Sequence, residues 1–573
     1  SYWMSVNENV EDLDCFGVSG GMASCDDCRV CDGSNMNMDD CNVCFGNNMD
    51  MDCNGVCFGP SEEDDCGICD DNAYNDNSLC SGCTDINAEN YDENAIFDDD
   101  SCIYSYNIFY VPADYSSIQS AINYAHNGDT IEVAPGTYYE NINFLSKALV
   151  VRSEYMNGVD IDEFIISGSD SLSVVTIENV EQDGAALMGF TISEGYGGGV
   201  SFEDFISMAA DEILFDSLIT NVIRGGGISV INSSPLLKDL YITNNTSRNV
   251  GAGIGLVNSN AIVQSTIISN NDVPDGDALG GGGIAINGGH PYLSDLEISY
   301  NTVGQNMYYL NGGGGIFCGF SFGDEILQVN IENSIIEHNT ANIGAGIGAL
   351  SGIININRLL LAENLGDFGS AISMGEPLGL VVGDIEMSIA NSTISSNIGQ
   401  MSIAMINSAN LNAVNTILWE NAGVEFSSLP NNDQLNISIT HSIVGNDWGS
   451  ESNLFLDPLF MDQENGDYTL QESSPCIDMG TADIDGDGVD DIADFIGLAP
   501  DMGAYEFGIS SEIIAGDTNF DGIVDILDIV RIVNYIMGNL EFNDAEFIAA
   551  DYNNDDIIDI LDIVQIVNYI LEN

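Results

Sequence analysis

The sequence predicts an all-β protein dominated by a long parallel β-solenoid, with a small cysteine-rich region ahead of it and a small helical module of paired calcium loops behind it. Three observations carry that prediction. Over residues 104–508 a unit of Gly-rich turn, β-branched strand, polar turn and Asn recurs. Within residues 1–103, thirteen of the fifteen cysteines crowd among Asp and Gly. In residues 514–573 one Asp-rich loop and the apolar run after it are written twice, thirty-four positions apart.

The chain has 573 residues, with 91 acidic against 8 basic side chains and a formal charge of −83 at pH 7. Nucleic acid and anionic membrane surfaces require clustered Lys and Arg, so neither is expected as a partner. Cations are the natural counterions, and self-repulsion on this scale makes bound calcium or a saline medium part of the folded state. A hydrophobic share of 45% still supplies a core and argues against wholesale disorder. No apolar run approaches the roughly 18 residues of a membrane span. The sequence opens on Ser1 without an apolar leader. With the cysteine crowding, this predicts an exported protein, extracellular or at the cell surface, processed at its N-terminus.

In the first region Asp27-Cys28-Arg29-Val30-Cys31, Asp40-Cys41-Asn42-Val43-Cys44, Asp52-Cys53 with Cys57, and Asp65-Cys66-Gly67-Ile68-Cys69 repeat every 12 to 13 residues. Too few apolar side chains are present to fold it by burial, so disulfides must hold it, with calcium on the Asp pairs as further support. These units loosely resemble thrombospondin type 3 repeats. The stretch from Gly82-Cys83-Thr84-Asp85 to Asp99-Asp100-Ser101-Cys102 looks like a short calcium-or-disulfide module found ahead of secreted bacterial domains, with Cys83–Cys102 as the expected bridge. Zinc on the CxxC pairs is the alternative. Thirteen is an odd count, so one thiol is free or intermolecular.

In the solenoid, Gly-rich turns precede Ile228, Ile254, Ile284, Ile316 and Ile347. The Asn positions are Asn245, Asn271, Asn301, Asn339, Asn364, Asn397 and Asn421, at intervals of 24 to 38 residues. Short β-branched strands between Gly and Asn turns at such a period indicate stacked coils, with variable spacing absorbed by loops on one face. Asn repeated at one coil position can ladder its amides along the stack. Gly supplies the positive φ and close approach of tight corners.

The two ends of this region carry a family resemblance. Ser117-Ile118-Gln119-Ser120-Ala121-Ile122, Gly128-Asp129-Thr130-Ile131-Glu132-Val133, Pro135-Gly136-Thr137-Tyr138 and Glu140 look like a cap, a short amphipathic helix over the first coil. Asp457-Pro458-Leu459-Phe460, Gly466-Asp467-Tyr468, Ser474-Pro475-Cys476-Ile477-Asp478 and Asp501-Met502-Gly503-Ala504-Tyr505-Glu506 look like a closing segment. Together they resemble right-handed parallel β-helix proteins of the pectate lyase-like fold, and the resemblance implies that fold here. Inside the closing segment Asp483, Asp485, Asp487, Val489, Asp491 and Asp494 have calcium-loop spacing, Val489 contributing its carbonyl.

Many proteins of that fold act on polysaccharides, and such activity would need catalytic residues. A polyuronate lyase needs an Arg or Lys base and cations for the substrate carboxylate. The solenoid offers only Lys147, Arg152, Arg224, Lys238, Arg248 and Arg358, none at coil spacing beside an Asp cluster. The signatures of a polygalacturonase-like hydrolase are absent too. Gly289-His290-Pro291 comes nearest, and His290, like His126, His338 and His441, reads as a turn residue. No residue of the sequence stands out as catalytic. If the chain is an enzyme, a polysaccharide hydrolase working through two carboxylates is expected rather than a lyase.

In the last region Asp517, Asn519, Asp521, Ile523, Asp525 and Asp528 fill the first, third, fifth, seventh, ninth and twelfth places of a calcium loop, Ile523 through its carbonyl. Asp551, Asn553, Asp555, Ile557, Asp559 and Asp562 repeat the pattern, with Asp556 where a Gly is usual. Two matches in one register resemble the dockerin type I module, which docks onto cohesin domains. That resemblance implies Ca2+ as the ligand and places Ile526, Leu527, Ile560 and Leu561 at the partner-recognition positions. The expected partner is a cohesin-like domain or another copy of this chain. The whole reads as a calcium-stabilised structural or adhesive surface protein that attaches through its C-terminal module and can assemble head-to-tail as a fibre. The alternative is a dockerin-delivered carbohydrate-active enzyme or glycan-binding protein.

Overall fold

The computed structural model describes residues 14–63, 69–70, 80–84, 90–99, 101–102, 106–154, 161–168, 172–198, 224–248, 250–274, 280–304, 312–319, 326–375, 384–406, 409–429, 436–445, 452–486, 488–492, 495–508, 515–518, 524, 526–537, 540, 542, 544–553 and 557–572. The chain separates into two compact units, Ser1–Tyr106 and Asn107–Asn573.

In the first unit the cysteines pair across successive repeats: Cys15–Cys31, Cys28–Cys44 and Cys41–Cys57, each bond spanning 16 positions. Cys83 is bonded to Cys102. Cys28 and Cys31 therefore belong to different bridges, as do Cys41 and Cys44, and neither CxxC pair is left to hold zinc. Cys25 is the free thiol among the described cysteines of this unit. The first Asp of each repeat builds a turn. Asp26 Oδ1 accepts from the amides of Cys28 and Val30 at 3.0 and 2.8 Å, and Oδ2 from that of Asn35 at 2.9 Å. Asp39 repeats this on Cys41, Val43 and Asn48, and the bond from Val43 foremost holds its carboxyl below the ordinary range. Gly33 is required beside it, because a Cβ there would stand 2.3 Å from Asp26 Oδ2. The Asp-Gly spacing of the repeat is thus backbone chemistry.

The second unit is built on a parallel β-helix, followed in the chain by three C-terminal helices. Its ridge of isoleucines is in strict register: Ile228 pairs with Ile254, then Ile284, Ile316, Ile347 and Ile372, one coil after another in a parallel sheet. All six are buried and belong to one continuous apolar core. Gly282 stands at a corner where a Cβ would come within 2.6 Å of the Gly314 carbonyl of the next coil. The repeated Asn forms the ladder its spacing predicts. Asn245 Nδ2 donates to Asn271 Oδ1 at 3.1 Å, and the relay continues through Asn301, Asn339, Asn364 and Asn397 to Asn421 at 2.9 to 3.1 Å. Each Oδ1 also accepts the backbone amide of the preceding ladder residue, for example Asn271 to Asn301 at 3.0 Å.

The helix Ile118–Tyr124 buries Ile118, Ala121 and Ile122, with Ser117 as its N-cap. Glu140 accepts from the amides of Ile118 and Gln119, both at 2.9 Å, while Lys147 Nζ donates to the carbonyls of Ile122 and Ala125, both at 2.8 Å. Residues of the second coil thus satisfy both ends of the cap. At the other end the closing segment returns over the outer face of the sheet, where Phe460, Tyr468, Leu470, Cys476 and Met502 bury Leu360, Ala362, Ile417 and Ile443. Among the described residues no helix is long and apolar enough to cross a membrane.

Candidate functional site

The C-terminal module consists of the helices Ile526–Ile536, Asp544–Ala550 and Ile560–Glu572. The thirty-four-residue repeat becomes a pseudo-symmetry of packing. Ile532 and Ile566, equivalent in the two copies, meet in one core with Ala550 and Ile558, flanked by Phe542, Phe547 and Tyr552.

The carboxylates that open and close both loops, Asp517, Asp528, Asp551 and Asp562, are all buried. Asp528 Oδ1 accepts the Thr518 amide at 2.9 Å, and Asp562 Oδ1 and Oδ2 accept those of Asn553 and Asp559 at 3.2 and 2.9 Å. Asn553 Oδ1 is buried with no hydrogen-bond partner. Buried carboxylates with a buried, unsatisfied amide oxygen among them fit a hard, oxygen-seeking cation, since burial of such groups is costly without one. Ile557 and Asp559 are described in the second loop; Asn519, Asp521, Ile523, Asp525, Asp555 and Asp556 lie outside the described residues.

In the third Asp-rich loop one carboxylate oxygen from each of Asp483, Asp485 and Asp491 lies within 4.8 Å of the others. Asp483 accepts the amides of Gly486 and Gly488 at 2.8 and 2.9 Å, and Asp491 that of Ile484 at 2.8 Å. Val489 is exposed, and Asp487 and Asp494 lie outside the described residues.

Of the four partner positions, Ile560 and Leu561 are 69% and 55% exposed. Ile526 and Leu527 begin the equivalent helix. The apolar surface of the second copy extends one turn further to Val564, 50% exposed, and its counterpart in the first copy, Val530, is 51% exposed. Two helices of a small module thus present matching apolar faces to solvent.

A further cluster lies on the β-helix, where sequence reasoning named no site. The residue ahead of each ladder Asn is left-handed, including Tyr300, His338, Glu363, Ser396 and Glu420, with φ of 56, 54, 55, 56 and 48°. Tyr300 stacks on His338 with ring centroids 4.7 Å apart. His338 Nδ1 lies 3.5 Å from Glu363 Oε2, and Glu363 Oε1 accepts the Tyr468 hydroxyl at 3.2 Å. The closing segment also delivers Gln463, whose Nε2 donates to Ser396 Oγ at 2.9 Å and to Glu420 Oε2 at 3.2 Å. Burial raises the Glu337 carboxyl above its ordinary range; His338 opposes this, and Glu297 and Glu363 reinforce it. His338 is therefore a turn residue, as expected, but one built into a group of carboxylates and tyrosines. A carboxyl biased towards protonation beside one held by hydrogen bonds is an arrangement able to donate and accept protons at a bound hydroxyl compound.

The dockerin type I domain family matches residues 515–571. No curated protein matches the chain significantly. Among solved structures, pectate lyase Pel9A is similar at 14% identity and TM-score 0.42, covering 70% of this chain and 97% of that one. A pectin methylesterase in complex with a hexasaccharide matches at 10% identity and TM-score 0.27, covering 64% and 99%. The A-module of the Azotobacter vinelandii mannuronan C-5 epimerase AlgE6 matches at 11% and 0.28, covering 57% and 93%. Residues 515–571 thus match the dockerin type I domain and follow a parallel β-helix in the chain.

Proposed function

We propose that this is an extracellular, calcium-stabilised structural or adhesive protein whose β-helix is held in place by docking of the C-terminal module onto a protein partner of the cohesin type. The observation that carries the reading is the duplicated apolar face of Ile560, Leu561, Val564 and Val530 on a dockerin module. Surfaces of this kind are kept exposed for a partner, since two short helices need only one stripe each to pack together. Calcium in both C-terminal loops and in the Asp483–Asp491 loop, export with processing at the N-terminus, and a division into 1–103, 104–508 and 514–573 belong to the same proposal. Titration of the full chain with cohesin domains, with calcium and then with chelator, tests it. Calcium-dependent binding supports docking. Sedimentation of the chain alone supplies the second arm: calcium-dependent chains of copies would make the partner another copy, and a monomer that binds no cohesin overturns the proposal.

A second reading rests on the Glu337, Glu363, His338 and Tyr300 cluster, which has the composition of a site for a neutral glycan. Carboxyl pairs act on glycosidic bonds, and an exposed Tyr offers an apolar platform to a sugar ring. New reducing ends from a neutral polysaccharide, lost in Glu337→Gln, would support it. Absence of both binding and cleavage across a polysaccharide panel would remove it.

A further inference from the structure

Cys25 faces a disulfide. Its Sγ and those of Cys15 and Cys31 all lie within 4.8 Å of one another, although only Cys15 and Cys31 are bonded. Cys25 is exposed, and its backbone forms an antiparallel bridge directly with Cys31. The repeat supplies an internal comparison. The equivalent bridges are Met38 with Cys44 and Met51 with Cys57, so the place held by Cys25 is held by Met in the next two repeats. Met cannot exchange with a disulfide. Of these three described bridges, the first alone puts a nucleophilic sulfur there.

We infer that Cys15, Cys25 and Cys31 form a thiol–disulfide exchange site, in which the free thiol passes between Cys25 and Cys15. The step needs no oxidant. Cys25 loses its proton to solvent, and its thiolate attacks Cys31 Sγ. The Cys25–Cys31 bond forms as the Cys15–Cys31 bond breaks, and the Cys15 thiolate takes up a proton. The product fits the backbone already present. Residues directly opposite in an antiparallel pair have Cα atoms about 4.5–5.5 Å apart, which is within the span of a disulfide. The reactants such a site takes from outside are alkylating electrophiles and low-molecular-weight disulfides, which capture whichever sulfur is free.

The test uses the full-length oxidised chain treated with iodoacetamide, quenched in acid, digested without reduction and mapped by mass spectrometry. Label is expected on both Cys25 and Cys15, with the Cys15-labelled molecules carrying a Cys25–Cys31 bond. Label on Cys25 alone overturns the inference, as does a Cys25-linked covalent dimer or a chain that takes no label in this unit. Cys25→Met, which places here the residue of the neighbouring repeats, is expected to abolish labelling of Cys15 and to leave the Cys15–Cys31 bond intact. Persistence of Cys15 labelling in that variant would equally rule it out.

Discussion

Asn339 and Asn364 are 25 positions apart in sequence and one coil apart in space: Asn339 Nδ2 donates to Asn364 Oδ1 at 3.1 Å, and the Asn339 backbone amide donates to the same oxygen at 3.0 Å. Asn339 Oδ1 in turn accepts from Asn301. Asn339→Ala removes an acceptor for two buried donors on one side and a donor for a buried oxygen on the other. Each unsatisfied buried group costs about 1–3 kcal/mol. Denaturant unfolding followed by the β-sheet signal should show a loss of that order, and an unchanged midpoint would mean that the ladder contributes nothing to stability.

Chelation of calcium should unfold the C-terminal module before the β-helix. On the proposed calcium binding, its buried acids would lose their counterion, whereas the coil core is apolar. Loss of circular dichroism at helical wavelengths, with the β signal intact, is the expected result. Asp562→Ala should lower the calcium stoichiometry of the chain by one in isothermal titration while leaving the first loop filled.

Replacing Ile560 and Leu561 together with Asp should weaken partner binding by at least about tenfold, equivalent to about 1.4 kcal/mol. Both side chains are mostly exposed, so helix content should not change. Equal affinity for the variant would place the docking surface elsewhere on the module.

Glu506 in the closing segment is pushed up to about 7 by burial; the bond from the Asp501 amide opposes the rise and the Asp501 charge adds to it. Its Oε1 accepts the Asp501 amide at 2.9 Å. Because the folded state holds the proton more tightly than the unfolded one, stability should fall as pH rises from the ordinary carboxylate range through about 7. Glu506→Gln keeps the acceptor and removes the titration. Thermal unfolding at pH 5 and pH 8 should show the gap between the two pH values narrowing in the variant; an identical pH dependence would discount Glu506.

The ladder, the Gly corners and the dockerin-like duplication are legible in the sequence because each repeats a local chemical requirement at a fixed place. The carboxylate cluster is not, because Tyr468 reaches Glu363 across 105 positions, and only the returning closing segment brings the two together. The disulfide register is hidden for a related reason. The repeat period is visible, but a CxxC pair looks the same whether its members bond to each other or, as Cys28 and Cys31 do, to cysteines 16 positions away in opposite directions.

The left-handed residue ahead of each ladder Asn stands next to a neighbour that fixes the backbone on its own account. Shape and surface chemistry are therefore separable along this column: Tyr300, His338 and Glu363 differ from coil to coil, while the Asn that follows each of them makes the same bonds.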